Sequence, residues 1–99
     1  MSDMTVAQTI LEQLGGRRFI VMTGAKNFIG SHDHLSFRIG RNCHAITHVK
    51  ITLTPWDLYD MTFHRLRGTD LKLVTEYDGV YADDLQRLFT TATGLDTHL

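Results

Sequence analysis

A chain of 99 residues can bury one hydrophobic core but not two, and 42% apolar with 21% charged residues excludes an intrinsically disordered protein. The formal net charge of −1 argues against both a strongly cationic nucleic-acid binder and a polyanionic nucleic-acid mimic. With one cysteine, Cys43, no internal disulfide forms; no run nears the ~20 apolar residues of a membrane span, and Met1-Ser2-Asp3-Met4 opens no signal peptide, so a cytoplasmic protein is expected.

In chain order, Thr5-Val6-Ala7-Gln8 reads as a capping box, followed by Val6, Ala7, Ile10, Leu11 and Leu14 at helical spacing. Gly15-Gly16 supplies a left-handed stop. Residues 18–23 (Arg-Phe-Ile-Val-Met-Thr) are apolar on both faces and are expected to form a strand covered on two sides. Residues 24–34 then read as a long link, well beyond the usual ~4–6 residues.

Alternation follows. Leu35, Phe37 and Ile39 alternate with Ser36 and Arg38; Val49, Ile51 and Leu53 with His48, Lys50 and Thr52; Tyr59, Met61 and Phe63 with Asp60, Thr62 and His64. Residues 71–77 form a fifth, less regular strand candidate. Gly40-Arg41-Asn42, Thr54-Pro55-Trp56-Asp57 and Gly68-Thr69-Asp70 are turn signals short enough for hairpins, which favours an antiparallel meander. A last helix begins near Tyr81 or Ala82, with Tyr81, Leu85, Leu88, Phe89 and Ala92 as its apolar stripe. Asp83 and Asp84 complement the dipole of its first turn, and Thr93-Gly94-Leu95 reads as a Schellman stop.

These elements make residues 1–99 a single α+β domain, an antiparallel meander of about five strands with an N-terminal and a C-terminal helix packed on one face. Val49, Ile51, Leu53, Tyr59, Met61 and Phe63 belong to the covered face. Ser36, Arg38, His48, Lys50, Thr52, Asp60, Thr62 and His64 belong to the open one.

Function has two candidate locations. Arg38, His48, Lys50 and His64 give the open face a mildly cationic surface, to which Arg17, Arg18 and Lys26 could add; phosphate, RNA or an acidic protein would suit it. Single-strand recognition also wants aromatic stacking platforms, and Phe37, Tyr59 and Phe63 fall in the opposite phase. The long link offers Lys26, Asn27, Phe28 and Ile29, whose apolar pair either anchors the link or meets a partner. Trp56, in a turn, either packs at the core edge or joins an interface.

His32, Asp33 and His34, with Cys43, His44 and His48, are metal-ligand types, but no spacing among them matches a zinc finger, and no metal or other cofactor is expected. Cys43 with His44 or His48 offers a nucleophile and base, and Asp57 with Asp60 a carboxylate pair, but catalysis also requires oxyanion donors and a pocket, for which a small helix-covered sheet leaves little room, so an enzyme is disfavoured.

Residues 9–16 (Thr-Ile-Leu-Glu-Gln-Leu-Gly-Gly), 19–25 (Phe-Ile-Val-Met-Thr-Gly-Ala), Ile51-Thr52-Leu53, Asp57-Leu58-Tyr59 and 81–95 resemble small proteins encoded by bacteriophages and prophages. The resemblance covers most of the chain. It implies a mobile-element origin and a bacterial cytoplasm, and assigns no functional residue. The leading expectation is therefore a non-enzymatic accessory protein that docks on another macromolecule, a host defence protein among the candidates. Nucleic-acid binding through the open face is the alternative, and an oligomer through a sheet edge is a further expectation.

Overall fold

The computed structural model describes residues 5–40, 42 and 44–95. Helix α1 (Thr5–Leu14) buries Ala7, Ile10 and Leu14, one stripe at helical spacing. Its end is a Schellman pair: Gly16 N–H donates to Leu11 O at 2.9 Å and Gly15 N–H to Glu12 O at 3.1 Å. The two glycines stop α1, and the chain then re-enters a helix.

That second helix, α2 (Arg17–Thr23), occupies the segment whose composition suggested a strand. Phe19 and Thr23 are its buried residues, four apart as on a helix face. The Thr23 hydroxyl donates to Phe19 O at 2.7 Å, and Gly24, left-handed at φ 68, closes the helix by donating to Ile20 O. Gly40 N–H donates to Thr23 O at 2.8 Å, and a Cβ on Gly40 would lie 3.1 Å from that oxygen, so a larger residue there would have to push the two segments apart by a few tenths of an ångström.

The first strand lies further on, inside what reads as a long link. Strand β1 (Lys26–Gly30) is an edge strand with a bulge between Lys26 and Ile29, where Asn27 takes a left-handed φ of 57. Strands β2 (His34–Arg38), β3 (His48–Leu53), β4 (Tyr59–Arg67) and β5 (Asp70–Val80) complete an antiparallel sheet in the order β1-β2-β3-β4-β5. The expected number of strands stands, with β1 taking the place given to residues 18–23.

Strands β4 and β5 run past the end of β3 as a protruding hairpin. Its two-residue turn has Gly68 at φ 61 in the first central position, as a type II′ turn requires. Strand β5 is irregular against β4 at two places, between Tyr59 and Met61 and between Phe63 and His64. Both sheet edges are thus bulged, a common protection against strand addition.

After β5, a 3₁₀ turn (Ala82–Asp84) leads into helix α3 (Leu85–Thr93), which buries Leu85, Phe89, Ala92 and Thr93. Tyr81, expected in that stripe, is exposed because it precedes the turn. The stop at Gly94 is a single bond to Thr90 O at 2.7 Å, the simpler left-handed cap instead of the expected Schellman motif, and Leu95 packs back on the core.

All three helices bury residues in the core on one side of the sheet, and Gln86 Nε2 ties α3 to Leu14 O of α1 at 2.9 Å. Four phenylalanines occupy the centre. Phe89 stands 5.0 Å from Phe19, 6.2 Å from Phe63 and 6.5 Å from Phe37, joining α3, α2, β4 and β2. Val49, Ile51, Tyr59, Met61 and Phe63 are buried and Leu53 is partly so, the covered face that their alternation indicates.

Candidate interaction surface

Residues directly opposite each other on antiparallel strands point to the same side. The register therefore defines the open face in rows. One row runs Lys26, Arg38, His48, His64 and Leu73, one residue from each strand; its neighbour runs Ile29, Ser36, Lys50, Thr62 and Glu76. At a strand spacing of about 4.8 Å, the four basic residues of the first row span about 14 Å.

The face is apolar at its margins. Ile29 (63% exposed) flanks the row on β1, and Leu71 (52%) and Leu73 (50%) flank it on β5. Between them lies a concavity of about 420 Å³ whose wall includes Ile29, Arg38, His48, Lys50, His64 and Leu71, and among the described residues no carboxylate lines it. The leucines were not assigned to this face from sequence, because the irregular pairing around Val74 breaks the alternation that would have placed them.

Other candidate residues fall elsewhere. Phe28 turns to the core side, 5.4 Å from Phe37, and anchors β1. Asn27 lies in the bulge at the edge of the concavity. Trp56 is 81% exposed in the β3–β4 turn, so the core-edge packing considered for it is not what the fold provides. That turn is at the far end of β3 from His48: His48 and Thr52 alone are about 13 Å apart along the strand. Arg17 and Arg18 are exposed on α2, in the helical layer, and so do not join the basic row.

The histidines divide similarly. His32 and His34 flank Asp33 at the β1–β2 turn, where His34 Nδ1 is 3.1 Å from Asp33 Oδ1; that hydrogen bond, more than any other influence, holds the Asp33 carboxyl below its usual range. His44 belongs to the 39–47 connection, and His48 lies at the opposite end of β2 and β3 from the Asp33 turn. No three metal-ligating side chains converge among the described residues. Cys43 lies outside the described residues.

His48 is half-buried, with Nδ1 2.7 Å from the Thr47 hydroxyl. Burial first, then the charge of Arg38 and the facing His64, lower its pKa. Its neutral form is thus favoured by the fold: the contribution to stability is complete above the unfolded value of about 6.5 and is lost as pH falls below it. An NMR titration is expected to give His48 a midpoint below 6.5, and Arg38→Gln is expected to raise it. An unmoved midpoint in that variant would show that the two side chains do not interact.

Among the described residues no helix is long and apolar enough to cross a membrane. No protein-family model, curated protein or solved structure matches this chain.

Proposed function

We propose that this chain is a non-enzymatic binding module that docks the open face of its sheet on an acidic protein surface. The observation that carries this reading is the row Lys26, Arg38, His48 and His64, with Lys50 beside it; all of these but Lys26 line a concavity between exposed Ile29 and Leu71 that has no carboxylate among its described lining residues. A polar centre within an apolar margin favours a partner with complementary charge, which steers encounter and fixes orientation. A second copy of the chain is a poor occupant, since a two-fold contact would set the cations against themselves. Single-stranded nucleic acid is less well served, because Phe37, Tyr59 and Phe63 all lie on the covered side.

In the setting that the bacteriophage and prophage resemblance implies, the partner is a host protein, a defence component among the candidates. The test pairs wild type with an Arg38→Glu/Lys50→Glu variant in affinity capture from bacterial lysate, followed by binding of the purified captured protein. Both substitutions fall on exposed side chains and leave the core intact. An acidic protein is expected to bind wild type and to lose on the order of 100-fold in affinity for the variant. Equal binding by the variant, or salt-sensitive binding of labelled nucleic acid with no specific protein captured, overturns the reading.

A further inference from the structure

A second basic site lies on the other side of β4. Arg65 and Arg67 alternate with His64 and Leu66, so they point away from the open face, toward the helical side and beyond its helices. There the connection from β2 to β3 meets β4: Thr47 N–H donates to His64 O at 2.9 Å and Arg65 Nη2 to His44 O at 2.9 Å. Ile39, Asn42, Ile46 and Thr47 of that connection, with Arg65 and Arg67, line a cavity of about 310 Å³, and a smaller hollow of about 70 Å³ shares the same two arginines with Asp70 and Lys72.

The charges at this site are not balanced. Arg65 is directly opposite Lys72, and Arg67 opposite Asp70; like charges in facing positions are unfavourable. The only carboxylate among the described residues of the site, Asp70, approaches Lys72 at 3.7 Å. Neither arginine forms an ion pair among the described residues, and the larger cavity has no acidic residue in its described wall. Arg65 donates one bond, from Nη2 to His44 O at 2.9 Å, while its Nε is buried with no acceptor. A buried donor left unmade is rare in a folded protein and calls for a missing partner.

We infer that this cavity binds a small phosphate-bearing molecule, its phosphoryl group held between Arg65 and Arg67. Arg65, Arg67 and Lys72 against Asp70 leave two positive charges, which a phosphate dianion neutralises and a single carboxylate does not. Two arginines on one side of a strand, their backbone positions about 7 Å apart, can each present a fork of N–H donors to different oxygens of a tetrahedral anion. Ile39 and Ile46 give the rest of the cavity an apolar wall suited to an organic remainder. The site is independent of the open face, because its cations point the other way.

The test is a titration of the ¹⁵N-labelled protein with inorganic phosphate against chloride at matched ionic strength, and in a second arm with a nucleoside monophosphate. Saturable shifts are expected at Ile46, Thr47 and residues 65–67, with the nucleotide binding at least as tightly as phosphate if the apolar wall contributes. Arg67→Gln, at an exposed position, is expected to weaken phosphate binding about tenfold, whereas Arg38→Gln on the open face leaves it unchanged. Shifts that do not saturate, shifts at basic residues throughout the chain, or wild-type affinity in Arg67→Gln overturn the proposal. Arg65→Gln should behave like Arg67→Gln; if it fails to fold, the Arg67 and Arg38 variants decide the matter alone.

Discussion

Replacing Phe89 with alanine is expected to destabilise the fold by about 3–5 kcal/mol, the range for removing a large aromatic ring from a packed core. Phe89 is fully buried and meets Phe19, Phe37 and Phe63 at 5.0, 6.5 and 6.2 Å, so one ring joins three other elements to α3. The cavity left by alanine would be bounded by three other rings, none of which can move in without leaving its own contacts. Domains of this size are stable by about 5–15 kcal/mol in total, so the loss removes a large share of the margin. Urea unfolding of wild type, Phe89→Ala and Phe89→Leu measures it. Leucine should recover part of the loss, whereas Tyr81→Ala, at an exposed ring, should stay within about 0.5 kcal/mol. A Phe89→Ala effect below about 1 kcal/mol would show that α3 does not pack as described.

The second large effect is expected at Asn42. Its Nδ2 donates to Gly40 O at 3.0 Å and to Ile46 O at 2.7 Å, while its Oδ1 accepts from the backbone N–H of Ile46 at 3.0 Å and of His44 at 3.2 Å. Two carbonyls on one side and two N–H groups on the other fix which amide atom is which. One side chain thus organises a connection in which Ala45 is held left-handed at φ 57. Four bonds at about 0.5–1.5 kcal/mol each set an upper range; because the site is half-buried, water replaces some of them, and Asn42→Ala should cost about 2 kcal/mol.

Asn42→Asp sharpens the test. A carboxylate only accepts, so one oxygen would face the carbonyls of Gly40 and Ile46, and ionisation would be disfavoured in the folded state. That carboxyl would have a raised pKa, so the loss relative to wild type is greatest at neutral pH and shrinks as acid restores a donor. Equal losses at pH 7 and pH 4, measured by urea unfolding, would show that the amide donor is not what the loop needs.

Much of this fold is legible in the amino-acid sequence where one side of an element is buried and the pairing is regular. Residues 48–53 and 59–64 alternate cleanly and pair without a slip, and the open and covered faces follow directly. Residues 18–23 defeat the same reasoning. They are too short and too apolar for periodicity to separate helix from strand, and Ile20, Val21 and Thr23 are β-branched; tertiary burial of Phe19 and Thr23 decides for a helix. Strand β1 is hidden for the opposite reason: it is an exposed, bulged edge strand whose residues carry no alternating burial.

The candidate sites divide in the same way. The basic row was visible because its residues alternate with core positions. Arg65 and Arg67 were not, because their significance depends on which distant segment the hairpin meets; Asn42 bonds only residues within four positions, but a turn signal does not show which side chain closes the turn. Phe28 and Trp56 show how little an apolar residue in a turn or edge says about itself, since one turns to the core and the other to solvent.

The order of the strands also governs how the molecule can be made. Each strand pairs with its sequence neighbour, so the sheet can assemble as successive hairpins, three of them with short loops and one closed by the longer 39–47 connection. The bond from Gln86 to Leu14 is of another kind, spanning 72 positions of chain. Phe89 follows Phe19 and Phe37 in the chain, so during synthesis the centre of the core has no α3 until that helix has been made. Until then α1 and α2 alone cover that face of the sheet, and the apolar surface that α3 takes stays open to the non-native contacts from which misfolding starts.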